Sequence, residues 1–493
     1  MYRPNDKNWK IWKIAVFILL SVLGVAGIVY IAGSRRAGEP SDDNAGADAA
    51  TPEISVQQSG DDAGISDDVQ QASGDDMEAG QCLTDSGLKY SIGPYSDDGL
   101  NLEKVVVLSR HNIRSPLTGP KSSLYSMTPY SWCEWSSRPA ELSVKGGTLE
   151  TEMGQYFRRW LEDEGLFEEN YRPAEGEVRI YANSWQRTVA TARFFSTGLM
   201  PVSNMGVEHH KGINNVDAVF YPKFTYCSAT YRTDALAEME GLYYLAMPDL
   251  SCDYRLLTDV LDMEESEAYK KGSFTGFSMD VPTFNLAKGT EPTVNGSLKT
   301  ACQLSDALIL QYYEEPDRYS EVSGRDLTWE EWEAIGEIKD IYGDVLFTSP
   351  LVAVNIAHPL LVEMDNELNN RDRRFSFICG HDSNLASVLA ALDTEDYRLP
   401  EAIEKRTPIG GKFVISLWKG EDGAEYMSLD LVYQKAEQMQ NVEILDEGNP
   451  PGIYGIRLKG LEMDENGLYK ASDVMGCFEE KIEEYDTMKE KYK

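Results

Sequence analysis

Residues 105–116 read VVVLSRHNIRSP, and they limit the fold classes open to the chain. The four apolar residues at the start predict a buried strand, and a histidine flanked by Arg110 and Arg114 follows at its end. Open α/β sheets bind ligands at the carboxyl ends of their strands. Arginine forks onto phosphate oxygens, and an imidazole beside it can attack phosphorus. A surface turn with two solvated arginines is the alternative interpretation of this stretch.

A second segment, residues 375–392, reads FSFICGHDSNLASVLAAL. Its pattern predicts a strand up to Gly380, then His381 and Asp382, then a helix. Asp382 could cap this helix, or its carboxyl group could protonate a leaving oxygen. The chain has five histidines, and two of them, His111 and His381, therefore lie at predicted strand ends beside charged partners.

A third segment, residues 178–195, reads VRIYANSWQRTVATARFF and predicts a strand to about Ala182 and a helix from near Arg187. A cation at a helix start opposes the helix dipole. An anion between the arginine and the helix amino end removes that conflict. Together with the other two strand ends, Arg187 is expected to be a third phosphate ligand.

These three motifs resemble those of the histidine acid phosphatases, branch 2 of the histidine phosphatase superfamily. The resemblance is carried by Arg-His-x-x-Arg-x-Pro after a strand, a downstream arginine and a late His-Asp pair. Further matching stretches follow in the same order from about Asn101 to Cys477. The resemblance therefore covers nearly all of the chain beyond its amino-terminal segments.

The resemblance implies a phosphomonoesterase in which His111 attacks phosphorus and forms a phosphohistidine. Asp382 would protonate the leaving oxygen and then assist the attack of water. Phosphate binding is implied for four side chains: Arg110, Arg114, Arg187 and His381. Three arginines and an imidazolium can neutralise the phosphoryl charge, so no metal or other cofactor is expected. Acid solution is expected to protonate Asp382 and allow His381 to be charged.

The resemblance also implies glucose 1-phosphate and related sugar phosphates as substrates. Phytase-like members have glycine at the position of Asn112, whose amide could orient Asp382 or satisfy backbone groups. Glu291 aligns loosely with a substrate-contacting glutamate, and an exposed loop glutamate is the other interpretation. A phytase acting on inositol hexakisphosphate and a non-catalytic, phosphate-binding surface protein are the alternative functions. A cluster of acidic residues disfavours phytate: Asp249, Asp253, Asp259, Asp262, Glu264, Glu265 and Glu267.

Strands and helices alternate over residues 105–199 and again from about residue 349 to residue 433. This alternation predicts a three-layer α/β/α sandwich of the phosphoglycerate mutase type, with helices on both faces. Residues from about 200 to 347 are mostly helical in periodicity, with helices at 235–244, 254–263 and 298–313. Because the motifs on either side must share one site, this segment is predicted to be an inserted cap. The whole phosphatase domain is assigned to residues 86–493.

The amino-terminal part is predicted to carry three segments. Residues 1–13 form a basic cytoplasmic tail, and residues 14–33 are apolar and long enough to cross a bilayer as a signal anchor. Residues 34–85 are acidic and expected to be a disordered linker. The catalytic domain is then expected outside the cytoplasm, and secretion after signal cleavage is the alternative. The net charge of −36 disfavours nucleic acid as a partner, and the sequence leaves the oligomeric state open.

Seven cysteines leave at least one unpaired if no intermolecular bond forms. Cys227 and Cys252 are close in sequence and could form a disulfide bond. Cys379 lies in a predicted buried strand and is expected to be a free thiol. The cysteine and histidine spacings do not indicate a zinc site.

Overall fold

The computed structural model of this chain describes residues 88–89, 92, 99–119, 122–215, 217–315, 317 and 319–493. The predicted basic tail, signal anchor and acidic linker lie outside the described residues, as does Cys82. The predictions for those segments, and for the cellular location of the predicted phosphatase domain, stay predictions.

Ten strands lie in two sheets within the described part of the chain. They are β1 (Leu88–Lys89), β2 (Leu100–Arg110), β3 (Val178–Ala182), β4 (Thr283–Asn285), β5 (Thr293–Asn295), β6 (Phe375–Gly380), β7 (Lys412–Gly420), β8 (Glu425–Tyr433), β9 (Gly452–Gly455) and β10 (Tyr469–Lys470). The large sheet has the order β1-β9-β8-β7-β2-β6-β3, β10 pairs with β8, and β4 and β5 form a separate hairpin. Strands β2, β6 and β3 are parallel, whereas the pairs from β2 through β7 and β8 to β9 and β1 are antiparallel.

Ten α-helices accompany these strands. They are α1 (Val144–Asp163), α2 (Gln186–Leu199), α3 (Ala229–Val260), α4 (Glu267–Lys270), α5 (Ser297–Glu314), α6 (Trp329–Phe347), α7 (Pro350–Asn369), α8 (Asp382–Ala391), α9 (Ala436–Asn441) and α10 (Ala471–Lys491). Short 3₁₀ helices lie at Ser123–Ser126, Met263–Glu265 and Tyr319–Val322.

Strand β2 shows why the fold has three layers. Its side chains alternate between the two faces of the sheet, so Val105 and Val107 pack into a core with α1 and α2. Val106 and Leu108 pack into the core on the opposite face, with α7, α8 and α10. A strand covered on both faces needs a continuous apolar run, which is what residues 105–108 supply. The α/β sandwich predicted from the alternation is therefore the observed architecture.

The segment between β3 and β6 carries a third core. Helices α3, α5 and α6 and the β4–β5 hairpin bury their apolar faces together. This segment lies at the carboxyl ends of β2, β3 and β6, because its residues line the same cavity as those strand ends. Helix α6 begins with a capping box in which Thr328 and Glu331 satisfy each other's backbone N–H groups.

Two predictions for the cap are wrong. The helices predicted at 235–244 and 254–263 are one helix, α3, which continues through Pro248. This helix also excludes a Cys227–Cys252 disulfide bond, because its rise of about 1.5 Å per residue separates the two positions by about 35 Å. Cys227 and Cys252 are both free thiols, as are Cys302, Cys379 and Cys477.

Within the described residues, no single helix is both long and apolar enough to span a bilayer. Helices α6 and α7 meet that criterion of length and composition as a pair, and they are bent by 85° at the break between them.

Candidate active site

Three strand ends bring the sequence motifs together. In the parallel ladders, Arg110 lies opposite Gly380, and Cys379 lies opposite Ala182. The residues that follow these strands therefore meet at one edge of the sheet. Gly380 is required there, since a Cβ atom would lie 2.5 Å from the Asn384 side chain, which accepts a hydrogen bond from the backbone N–H of His381.

His111 is held as a neutral imidazole. Only 3% of its surface is exposed, and its Nδ1 lies 2.9 Å from the carbonyl oxygen of Asn112. A carbonyl oxygen only accepts, so Nδ1 carries the proton and Nε2 keeps its lone pair. Burial and the neighbouring charges, first that of Arg187, lower the pKa of His111 well below its usual range. The side chain is therefore an available nucleophile even in acid solution.

Arg110 and Arg114 are each paired with a carboxylate. Arg110 Nη1 donates to Glu404 Oε1 at 2.8 Å and to the carbonyl oxygen of Thr407. Arg114 binds both carboxylate oxygens of Asp306, at 3.1 and 3.3 Å. These pairs fix the two guanidinium groups in place.

Arg187 differs from the other two arginines. It has no carboxylate within ion-pair distance among the described residues, and its Nη2 lies 3.3 Å from His381 Nδ1. Burial and the positive charge of Arg114 lower the pKa of Arg187 to about 9, so the group remains charged in acid and neutral solution. An unpaired buried guanidinium is a site for an anion.

Asp382 is the first residue of α8, and its Oδ1 accepts a hydrogen bond from the Ser383 backbone at 2.8 Å. Its Oδ2 lies 3.3 Å from Arg110 Nη2, and 45% of its side chain is exposed, so the carboxylate binds a backbone N–H of the first turn, after the N-cap His381, and also faces the cavity. Burial raises the pKa of Asp382, but Arg110 and Lys339 outweigh it and lower the pKa to about 2.

The expectation that acid solution protonates Asp382 and charges His381 is wrong for the free protein. Asp382 stays ionised because of Arg110 and Lys339. Burial and the charge of Arg187 lower the pKa of His381 well below its usual range. In the free protein Asp382 therefore stays negatively charged and His381 stays neutral until another negative charge enters the site.

Asn112 serves the backbone and a buried carboxylate, and it makes no hydrogen bond to Asp382. Its Oδ1 accepts from the Ile113 backbone at 2.8 Å, and its Nδ2 donates to Glu150 at 2.8 Å. Glu150 in turn lies 3.0 Å from the buried Lys412 ammonium. Gly410, at a φ of +70°, allows this packing because a Cβ atom would lie 2.7 Å from the Asn112 amide. The asparagine thus fixes the backbone that carries His111.

A cavity of about 380 Å³ opens above these groups. We call its strand-end wall the floor, and it consists of Arg110, His111, Arg114, Arg187, His381 and Asp382. We call the opposite wall, formed by the inserted cap, the roof, and its charged residues are Glu291, Lys299, Asp306, Lys339 and Asp340. The cavity therefore lies between the sheet and the insertion.

Glu291 is not an exposed loop glutamate, because it is half-buried and lines the roof. Burial and the charge of Asp382 raise the pKa of Glu291 to about 7. Its electrostatic coupling to Asp382 and Arg187 indicates that it faces the floor. A neutral carboxyl group there can both donate and accept hydrogen bonds.

The acidic cluster in the cap does not form the cavity. None of its seven residues, all of them described, lines the wall. Several lie along or just after α3, which buries its apolar side chains in the third core. The charge argument against a polyphosphate substrate must therefore rest on other residues.

Sequence reasoning missed four charged or polar side chains at this site. Asn183 contributes its amide 2.8 Å from His381 Nε2. Asp306, Lys339 and Glu404 bind the arginines or one another. One available signal was the acid at position 306 inside the apolar run of α5, since unpaired carboxylates are rarely buried.

Comparisons with known proteins agree with this geometry. The profile of the histidine phosphatase superfamily (branch 2) matches residues 101–233. The chain is 38% identical to a glucose-1-phosphatase of Salmonella typhimurium, over 79% of this chain and 94% of that protein. It is 34% identical to a glucose-1-phosphatase of Providencia rettgeri, over 78% of this chain and 92% of that protein. The solved phytase of Citrobacter braakii has a TM-score of 0.70 and 27% identity, over 78% of this chain and 98% of that one.

Proposed function

Because this chain belongs to branch 2 of the histidine phosphatase superfamily and is an acid phosphatase, a hydrolase of phosphoric monoesters, we propose that it acts on glucose 1-phosphate and related sugar phosphates. His111 is the nucleophile in this proposal and Asp382 the proton donor. The observation that carries it is the neutral, buried imidazole of His111, which lines one cavity together with three arginines.

The phosphoryl group binds to the floor. Arg187 has a charge without a carboxylate partner among the described residues, and the buried Nε atoms of Arg110, Arg114 and Arg187 all lack hydrogen-bond partners. Buried donors without partners are costly, so an anion that accepts from them is strongly favoured. Phosphoryl transfer depends mainly on such positioning and charge neutralisation.

The first chemical step forms the N–P bond and breaks the bond between phosphorus and the leaving oxygen. His111 Nε2 supplies the electron pair, and the Asn112 carbonyl keeps the proton of Nδ1 in place as the ring becomes positive. The leaving oxygen takes a proton from Asp382. Water then attacks phosphorus, Asp382 accepts a proton from that water, and the N–P bond breaks to release phosphate and free His111.

Asp382 must gain a proton before it can give one. Its pKa of about 2 means that it is ionised in the free protein. A bound phosphoryl group adds negative charge beside Arg110, which holds Asp382 ionised, and so raises the pKa of the carboxyl group. A monoester monoanion, the form that dominates below about pH 6, carries a proton into the site that Asp382 can receive.

The roof favours a leaving group with few charges. Beyond the floor, Lys299 is the one lysine lining the cavity that has no ion pair among the described residues, since Lys339 binds two carboxylates. Glu291 adds a group that is neutral in acid solution and can hydrogen-bond to sugar hydroxyls. Inositol hexakisphosphate would need more cations to hold its remaining phosphates.

The test measures phosphate release by the full chain at about pH 5, a pH at which a phosphoric monoester is mainly a monoanion. Glucose 1-phosphate and phytate are compared side by side, with His111→Ala as the control. Faster turnover of glucose 1-phosphate that is lost in the variant is the expected result. Faster turnover of phytate would identify a phytase with the same mechanism, and phosphate binding without His111-dependent release would identify a binding protein.

A further inference from the structure

A row of alternating charges connects the floor of the cavity to the roof. It runs from Arg114 through Asp306, Lys339 and Glu404 to Arg110. Its contacts are 3.1 Å (Arg114 Nη1 to Asp306 Oδ2), 2.7 Å (Lys339 Nζ to Asp306 Oδ1), 2.7 Å (Lys339 Nζ to Glu404 Oε1) and 2.8 Å (Arg110 Nη1 to Glu404 Oε1). All five side chains are nearly buried, with at most 13% of each exposed.

Lys339 is the centre of this row. It comes from α6 in the inserted cap, and its ammonium binds one carboxylate from α5 and one from the loop before β7. Burial lowers its pKa, but Asp306 and Glu404 outweigh burial and raise it, so the group stays charged.

The two carboxylates are each shared between an arginine and Lys339. Without the lysine, the negative charges of Glu404 and Asp306 would be balanced by Arg110 and Arg114 alone. The row carries three positive and two negative charges, a net charge of +1, and loss of the lysine would make it neutral. In a buried site such a change acts strongly on a bound anion.

We propose that Lys339 is a positioning residue, which keeps Arg110 and Arg114 oriented and electrostatically free to bind the phosphoryl group. This inference rests on the proposed function, because it assigns the two arginines to phosphoryl binding. Under this proposal the inserted cap shapes the space for the leaving group and, through Lys339, also orients two arginines of the floor.

The other role for Lys339 is to stabilise the contact between the cap and the sheet. Breaking a buried ion network destabilises a protein whatever its function, so a fall in stability alone does not separate the two roles. The affinity for inorganic phosphate distinguishes the two roles of Lys339, because phosphate binds to the arginines and its binding can be measured without turnover.

The experiment compares inorganic phosphate binding to the full chain by calorimetry in the wild type and in Lys339→Met. Displacement of binding groups by about 1 Å can cost about 100-fold, and we expect phosphate affinity to fall by about that factor. Lys481→Met is the matched control. Lys481 also bridges two carboxylates, Asp393 and Glu484, with 12% of its side chain exposed, but it lies outside the cavity. Its substitution should leave phosphate affinity unchanged.

A second variant tests the charge argument directly. Lys339→Met combined with Glu404→Gln removes one positive and one negative charge and restores the net charge of +1. We expect the double variant to bind phosphate about tenfold more tightly than Lys339→Met, since charges in one network couple strongly. Lys339→Arg, which keeps the charge, should retain most of the wild-type affinity.

Unchanged phosphate affinity in Lys339→Met would overturn the proposal, as would a double variant that binds more weakly than the single one. If Lys339→Met does not fold, the double variant is compared with the wild type, and a loss of more than about 100-fold overturns the proposal. Wild-type protein that binds phosphate but hydrolyses no ester would overturn the proposed function and leave this test intact.

Discussion

The floor and the roof of the cavity use charge in different ways. Among the described residues, Arg187 is the guanidinium of the floor that has no carboxylate partner, and it lies beside the neutral imidazole of His381, an arrangement that suits any phosphoric monoester. In the roof, the charged Lys339 is paired with two carboxylates, and burial raises the pKa of Glu291 to about 7. Under the proposed reaction, the floor and Lys339, which positions two of its arginines, act on the phosphoryl group of every substrate, whereas roof groups that contact the leaving group act on some substrates only. Substitutions in the floor or at Lys339 should therefore harm all substrates, and substitution of a leaving-group contact such as Glu291 should harm some of them.

The largest effect is expected for His111→Ala. Removal of a nucleophile that forms a covalent intermediate should lower kcat by at least about 10⁴-fold for every phosphoric monoester. The measurement is steady-state phosphate release with glucose 1-phosphate and with p-nitrophenyl phosphate. Acid-labile phosphoenzyme should also disappear in the variant. A variant that kept more than a hundredth part of the activity on either substrate would break the assignment of the nucleophile.

Asp382→Asn should come next, with a loss that depends on the leaving group. General acid catalysis contributes about 10²- to 10⁴-fold, so turnover of glucose 1-phosphate should fall by that range. The nitrophenolate group needs little protonation, and its release in the first turnover should fall far less. Equal losses for both substrates in that first turnover would contradict the role of Asp382 as proton donor.

Arg187→Gln should cost about 100-fold in kcat/KM, because it removes a preorganised charge from the phosphoryl group. The matched substitution is Arg193→Gln, on the same helix but outside the cavity lining, and it should have little effect. The loss should be similar for sugar and aryl phosphates. A loss confined to sugar phosphates would place Arg187 with the leaving group and weaken the division between floor and roof.

The floor could be predicted from the sequence because its residues follow strands whose own pattern identifies them. Apolar runs at 105–108 and 375–379 predict parallel neighbours, and parallel strands deliver their next residues to one edge. His111, Arg187 and Asp382 could therefore be placed near each other without a structure. Their charge states could not, since the low pKa of Asp382 depends on Arg110 at 3.3 Å and on the positive charge of Lys339.

The roof was largely beyond sequence reasoning. Asp306, Lys339 and Glu404 meet only because α5, α6 and the loop before β7 pack together, and no local pattern specifies that packing. The sequence predicts separate helices at 235–244 and 254–263, whereas α3 is one helix that continues through Pro248, because tertiary burial of its apolar face overrides the preference of proline against a helix interior. The partial burial of Glu291 could not be predicted either, because a loop sequence does not show which wall of a cavity the loop packs against.

The smallest expected effect, and the sharpest test of the roof, is the pH dependence of Glu291→Gln. Burial raises the pKa of Glu291 to about 7, so the wild-type carboxyl group is neutral below that pH and negative above it. Glutamine resembles the neutral form, and the variant should match the wild type in KM for glucose 1-phosphate at about pH 5. Above pH 7 the wild type gains a negative charge facing an anionic substrate, and its KM should rise by less than about tenfold relative to the variant. The measurement is KM against pH for both proteins. If the two profiles coincide at every pH, Glu291 does not face the substrate, and the neutral-to-negative change in the roof does not act on the leaving group.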